Sequence, residues 1–410
     1  MNAQVPPQGD QIDGSGQTAL WHAAHHGYLA VVRWLVEERW ASVDQPCNNG
    51  ITALSLDWLA GNGHSDVVDW LAGNGGSVTQ PNNDGATSLL IAAQAAHLAV
   101  VQWLAGNGGS VTQPNNTGAT PLYVAAWQCH LEVVRWLASN GGSATQPDDT
   151  GNCPLNAAAQ AGHREVARSL VQEAGADPNR PGADGVTPLC AAAAEGHLDV
   201  VRLLVVDARA DVNRATTTGE TPMHVTVRQG HDAVVRVLAT EGSTNVSAGR
   251  PNHRGHTPLH AVVECGHAAV VRYLVVEDVV DVNRTDNDGL TPLSLAASLE
   301  DGEAIARILI AEKGVGVNAT GADVNHADNR GRTALWTAAR SERSARSGRS
   351  ALVALLAGAP GIDVNRAAWD PRSSTPAQCA VNHGHRGHRG CLLALNTPGR
   401  VSRSSRRESG

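Results

Sequence analysis

Eighteen histidines stand in this chain of 410 residues, and their spacing decides what chemistry they can do. Eight of them, His64, His97, His130, His163, His197, His231, His267 and His385, follow runs of small residues, six directly after a glycine. Catalysis needs a base, a nucleophile and an orienting group that converge on one place. Residues that recur once per unit of a repeating chain lie in a row instead, so these histidines read as structural. One grouping has the residue types of a zinc site: Cys379, His383, His385, His388 and Cys391. Its spacing matches no standard finger, and His385 already belongs to the recurring slot, so no metal is assigned. The glycine runs Gly73–Gly76 and Gly106–Gly109 lack the lysine and the preceding strand of a phosphate loop, and no cofactor is implied.

The elements that carry these residues are clearest in Asp184–Asn213. Gly185 opens a turn, and Thr187-Pro188 starts a helix with a hydroxyl cap and a proline where its missing N–H does no harm. A short first helix of small residues, Cys190–Ala194, ends at Gly196-His197. A second helix from Leu198 places Val200, Val201, Leu203 and Leu204 on one stripe, and Asp211-Val212-Asn213 leads out. Such a unit has a buried face on each side and too little core to stand alone, so it must stack on copies of itself. The copies start at Thr18, Thr52, Thr87, Thr120, Cys153, Thr187, Thr221, Thr257 and Thr291, at steps of 33 to 36 residues.

The chain resembles the ankyrin-repeat family. The residues that carry the resemblance are Thr187-Pro188-Leu189, Thr221-Pro222-Met223-His224, Thr257-Pro258-Leu259-His260-Ala261 and Thr291-Pro292-Leu293, with five Gly-His pairs and the exits Asp211–Asn213 and Asp281–Asn283. The resemblance covers about three-quarters of the chain. It implies an all-α solenoid of stacked helix-turn-helix layers joined by β-hairpin-like turns, with the recurrent histidine bracing the turn by hydrogen bonding. It also implies a binding scaffold whose concave face is built from the turn residues before each Thr and the last residues of each first helix. By slot these are Trp127, Gln128, Gln160, Glu195, Glu220, Arg228, Gln229, His253, Arg254, His256 and Glu264. Trp127 stands out as a tryptophan in a slot that does not face the core, next to a polar rim, which is the composition of a binding hot spot. The tryptophans at repeat spacing, Trp34, Trp70, Trp103 and Trp136, occupy a second-helix slot that faces the neighbouring layer and read as core.

The expected function is a protein–protein interaction scaffold or adaptor with no catalysis of its own. The alternative is a substrate-recognition arm of a ubiquitin-ligase or kinase assembly. Charge argues against nucleic acid along the array: before residue 340 there are 19 basic against 35 acidic residues, near −16, while the rest is basic. The segment Arg400–Arg407 reads first as a solvated tail, with RNA, an acidic partner or a nuclear import receptor as the alternatives. Seven unevenly spaced cysteines imply no disulfide framework, and no run of about 18 apolar residues occurs. These features point to an intracellular protein, cytoplasmic or nuclear, acting as a monomer.

The organisation read from the pattern is a disordered N-terminus over 1–12, a repeat array over 13–319, degenerate repeats over 320–395 with a polar insertion at 341–350, and a disordered basic tail over 396–410. Two lapses are expected to weaken the array. The second repeat is two residues longer than its relatives before Gly63-His64, with its first helix ending early at Gly61. Cys153 replaces a capping Thr, at a cost of about 1 kcal/mol.

Overall fold

The computed structural model describes residues 10–54, 64–241, 249–276, 280–311, 322–340, 347–369 and 374–382. The lengthened stretch before His64, the 383–391 His/Cys grouping apart from Cys379, and the basic tail lie outside the described residues. The chain divides into two compact units, Met1–Asp211 and Val212–Gly410. Helices of the first unit are α1 (Ala19–His25), α2 (Leu29–Glu37), α3 (Ser65–Gly73), α4 (Ser88–Gln94), α5 (Leu98–Gly106) and α6 (Pro121–Trp127). They continue with α7 (Leu131–Ser139), α8 (Pro154–Gln160), α9 (Arg164–Gln172), α10 (Pro188–Ala194) and α11 (Leu198–Arg202). The second unit holds α12 (Pro222–Gln229), α13 (Asp232–Thr240), α14 (Pro258–Cys265), α15 (Ala268–Val276) and α16 (Pro292–Ser298). It ends with α17 (Glu303–Ala311), α18 (Ala334–Arg340), α19 (Ser347–Ala357) and α20 (Pro376–Asn382). In each unit first helices pack on first helices and second helices on second helices, as in α4 on α6 and α7 on α9. No helix is long and apolar enough to cross a membrane among the described residues.

Local sequence explains where these helices start. The Thr hydroxyl accepts from the backbone N–H three residues on at Thr18 (3.0 Å), Thr120 (3.2 Å), Thr187 (3.2 Å) and Thr291 (3.2 Å). Each such cap stabilises its helix by about 1 kcal/mol. Small residues then let the first helices approach closely: Ala125, Ala126, Ala158, Ala159, Ala192 and Ala193 are fully buried. Leucine and valine of the second helices close the core, including Val134, Leu137, Val166 and Leu170.

In several layers the residue three beyond the cap ties one layer to the next. The His224 Nδ1 accepts from the Thr221 N–H at 3.2 Å, and its Nε2–H donates to the His256 carbonyl at 2.9 Å. His260 repeats this with the Thr257 N–H at 3.2 Å and the Leu290 carbonyl at 3.0 Å. These bonds fix the tautomer and require the neutral ring, and burial pushes both imidazoles below their usual range. Cys153, where a weakened start is expected, has help from the same slot. Asn156 Oδ1 accepts from the Cys153 N–H at 3.2 Å, and its amide donates to the Val186 carbonyl at 3.1 Å. Trp336 does likewise with its indole N–H on the Ser374 carbonyl, 3.0 Å. In another layer Tyr123 stands beside Asp148; burial, and secondarily that carboxylate, pushes its phenol up to about 12.

Between layers the turns pair as hairpins do. In the first unit backbone N–H groups of Asn83, Asn116 and Asp149 donate to the carbonyls of Asn49, Asp84 and Thr117 at 3.1, 2.9 and 2.9 Å. In the second, His253, Asn287 and Asn329 donate to Thr218, Arg254 and Asp288, each at 3.1 Å. Only isolated bridges form among the described residues, Ile12 with Thr18 and Ala327 with Thr333, so the fold is all-α with hairpin-like turns.

Three expectations need adjusting. The tryptophan slot is only partly core: Trp70, Trp103 and Trp136 are half-buried, and Trp34 is exposed. A large indole on a second helix covers the layer edge and leaves its rim in water, so truncation there costs less than at a sealed position. The second helix of the sixth layer leaves α-geometry, and Leu203–Asp207 forms a π-turn that keeps Leu203 and Leu204 buried. Residues 347–350 of the expected insertion form the first turn of α19.

Among the described residues, the slot before the recurrent histidine holds a left-handed backbone, with φ of 79° at Gly162, 75° at Gly196 and 76° at Gly230. Ala96 and Cys129 occupy it at 65° and 66°. A side chain there costs about 1–2 kcal/mol, of which glycine's extra chain entropy returns part. Ala96→Gly and Cys129→Gly are therefore expected to stabilise the first unit by about 0.5–1 kcal/mol each, read from denaturant midpoints. A lower midpoint in both variants would contradict the strain.

The buried imidazoles give a second expectation. Below about pH 6.5 an unfolded histidine binds a proton that folded His224 and His260 resist. Their contribution is complete above that pH and is lost as pH falls toward their depressed values. Amide exchange in α12 and α14 should accelerate from pH 7 to 5 beyond the intrinsic pH effect. The variant His224→Asn/His260→Asn, copying Asn156, should flatten that dependence; an unchanged slope would count against it.

Candidate functional site

The backbone at the ends of first helices is held by the recurrent histidine of the following layer. His130 Nε2–H donates to the Gln94 carbonyl at 2.8 Å, His163 to Trp127 at 2.9 Å, and His197 to Gln160 at 3.0 Å. In the second unit His267 donates to the Arg228 carbonyl at 3.0 Å. These carbonyls end helices and have no partner within them, so the bond fixes the last turn from which the side chain projects. The glycine before the histidine makes room for the next ring: a Cβ on Gly162 would lie 2.7 Å from His197, and one on Gly230 2.8 Å from His267.

The expected docking residues fall into one set in each unit. In the first, Trp127 and Gln160 are the last residues of α6 and α8, and Gln128 and Glu195 follow the ends of α6 and α10. All four are exposed, Trp127 by 41 %. Trp127 and Gln160 occupy the same place in successive layers, and Gln128 and Glu195 the next place along the chain two layers apart.

In the second unit the residues converge. Glu220, Arg228, His253, Arg254, His256 and Glu264 line one cleft of about 580 Å³ with Thr217, Thr218 and Asn252. Gln229, beside Arg228, is exposed and does not line it. Two turns build the floor. Asn252 Oδ1 accepts from the backbone N–H of Arg254 at 2.9 Å and of His256 at 3.1 Å, and the Glu220 N–H donates to Thr216 Oγ1 at 3.2 Å. The ends of α12 and α14 supply the wall with Arg228 and Glu264.

Charge in the cleft is arranged unevenly. Arg228 grips half-buried Glu220 with both terminal nitrogens, Nη1 to Oε2 at 3.1 Å, and this bonding to Glu220 raises its pKa above the ordinary arginine value. That pair is neutral as a unit. His256 lies between two carboxylates, its Nε2 3.4 Å from buried Asp286 and its Nδ1 3.7 Å from exposed Glu264, and it stacks on His260 at 5.6 Å. The Arg254 guanidinium is exposed and makes no ion pair among the described residues. The cleft thus offers one unpaired cation on its turn side and a loosely held carboxylate on its helix side. No described group of three or more His, Cys, Asp or Glu side chains could hold a metal ion.

Thr217, Thr218 and Asn252 were not anticipated. They stand in turn slots whose types serve the turn itself, so their second role shows only when the layers are stacked. Asp286, under His256, belongs to the following layer and was equally hidden by the 30 residues that separate them.

The family model of ankyrin repeats (3 copies) matches residues 3–82, 56–148, 89–182, 155–250, 208–286, 243–321 and 279–368. No curated protein matches the sequence. Ankyrin repeats are generally protein–protein interaction modules and typically non-catalytic. With its capped first helices, its reach-back histidines and family matches over most of its length, the chain belongs to the ankyrin-repeat family.

Proposed function

We propose that this chain is a non-catalytic intracellular scaffold or adaptor that docks a partner protein on the turn and first-helix face of its layers. The observation that carries the reading is the cleft of the second unit, where six residues of the docking slots meet. Around it, the slots that build the fold repeat from layer to layer, whereas from one layer to the next Glu220 gives way to His256, Thr218 to Arg254 and Arg228 to Glu264. An unpaired Arg254 beside polar turn groups suits a carboxylate of a partner segment, and arginine is among the residues that dominate binding energy. Glu264 on the opposite side favours a basic neighbour in the same segment. In the first unit the corresponding anchor is Trp127, a large apolar side chain held at a fixed helix end and left in water.

The test is comparative capture with the full chain, followed by affinity measurement on each captured protein. Arg254→Ala is expected to weaken the partner by about 2 kcal/mol, roughly thirtyfold, with a thermal melt like the parent's, because the side chain is exposed. Trp127→Ala should do the same for a partner that reaches the first unit. Binding unaffected by either change would remove both anchors and the docking face with them.

A further inference from the structure

Three second helices of the first unit end in the same way. Asn74, Asn107 and Asn140 follow α3, α5 and α7, and each is followed by a glycine. Each asparagine closes twice on one carbonyl, that of Trp70, Trp103 or Trp136. The backbone N–H donates at 3.1 Å in all three, and the side-chain amide donates at 2.7, 2.8 and 2.8 Å. Both residues of each pair are exposed, and Gly75, Gly108 and Gly141 hold a left-handed backbone (φ 95°, 92° and 93°) with nothing within 4 Å of the place a Cβ would take. An asparagine before glycine is chemically labile, because no side chain shields the next backbone nitrogen. That nitrogen attacks the side-chain carbonyl carbon. The new N–C bond closes a succinimide ring, the C–N bond of the side-chain amide breaks, and ammonia leaves with the proton that the glycine N–H gives up. Water then opens the ring at either carbonyl, leaving aspartate or isoaspartate.

The fold does not treat every such pair alike. Asn49-Gly50 lies in a turn that the next layer covers: the Gly50 N–H donates to the Cys47 carbonyl at 2.9 Å, the Asn49 carbonyl accepts from the Asn83 N–H at 3.1 Å, and a Cβ on Gly50 would lie 2.5 Å from Asn83. At the helix ends the corresponding bonds are longer, 3.3 Å from Gly75 to the Ala72 carbonyl and from Gly108 to the Ala105 carbonyl, and no neighbour crowds them. We propose that Asn74, Asn107 and Asn140 are sites of spontaneous deamidation, and that each conversion weakens the first unit. The product carboxylate has no N–H to give. It sets a negative charge against the tryptophan carbonyl at the negative end of the helix dipole, and isoaspartate also lengthens the backbone by one carbon. Glu173, the acid that stands at this place after α9, has partners of its own, Arg135 at 3.3 Å and the Ser169 hydroxyl at 3.0 Å. None of the three asparagines belongs to the docking face.

Peptide mass analysis of the full chain, held for weeks in mildly alkaline buffer either folded or in urea, tests the proposal. In urea Asn49, Asn74, Asn107 and Asn140 should convert at like rates, since glycine follows each. In the folded chain the three helix-end asparagines should still convert, slowed at least about fivefold by the bonds they must break, while Asn49 keeps its amide. The aged chain should unfold at lower denaturant than the fresh one. Asn107→Asp, which installs the product charge at one helix end, should speed amide exchange in α5 and leave α9 unchanged. Helix-end amides that survive in the folded chain overturn the proposal, as does Asn49 converting as fast as they do. An aged chain with converted helix ends and an unchanged midpoint overturns it too, and so does Asn107→Asp with exchange in α5 like the parent's.

Discussion

A layer of this protein cannot satisfy its own helix ends. First helices of seven or eight residues leave carbonyls without partners at their C-termini, and the recurrent histidine of the next layer supplies a donor. The same layer lays its ring over a glycine that has no side chain to obstruct it, and its turn donates to the preceding turn's carbonyl. Each contact is nearest-neighbour, worth about 1 kcal/mol net, and missing in an isolated layer. Stability is therefore a property of adjacency, as expected for a stack whose energy is a sum of local and neighbour terms.

That dependence also explains how structure and docking coexist on the same residues. The backbone of Trp127, Gln160 or Arg228 is committed to the next layer's histidine, while the side chain faces away and is free to vary. Changing Arg228 to another residue would disturb the Glu220 pair but not the His267 bond, which uses only a carbonyl. The cleft of the second unit is the place where such free side chains meet around two firmly built turns.

Much of the fold was legible because the stacking constraint writes itself once per layer. Thr caps, Gly-His pairs and valine stripes recur in register, and the helices stand where those signals put them. What escaped were effects that need two layers at once. Asn156 standing in for histidine at a Cys-capped helix bridges about 30 residues to Val186. The half-exposure of the tryptophan slot depends on how far an indole overhangs its neighbour. For the docking slots, sequence placed Arg254, His256 and Glu264 on one face but not around one cleft, nor could it show Asp286 beneath His256.

The most direct test of the neighbour account is amide exchange in a His163→Ala chain. This removes the donor to the Trp127 carbonyl and leaves every other layer's bond in place. The account predicts faster exchange in α6, α8 and α9, with α1, α2 and α14 unchanged. Acceleration spread evenly over the whole first unit, or none in α6, would contradict it.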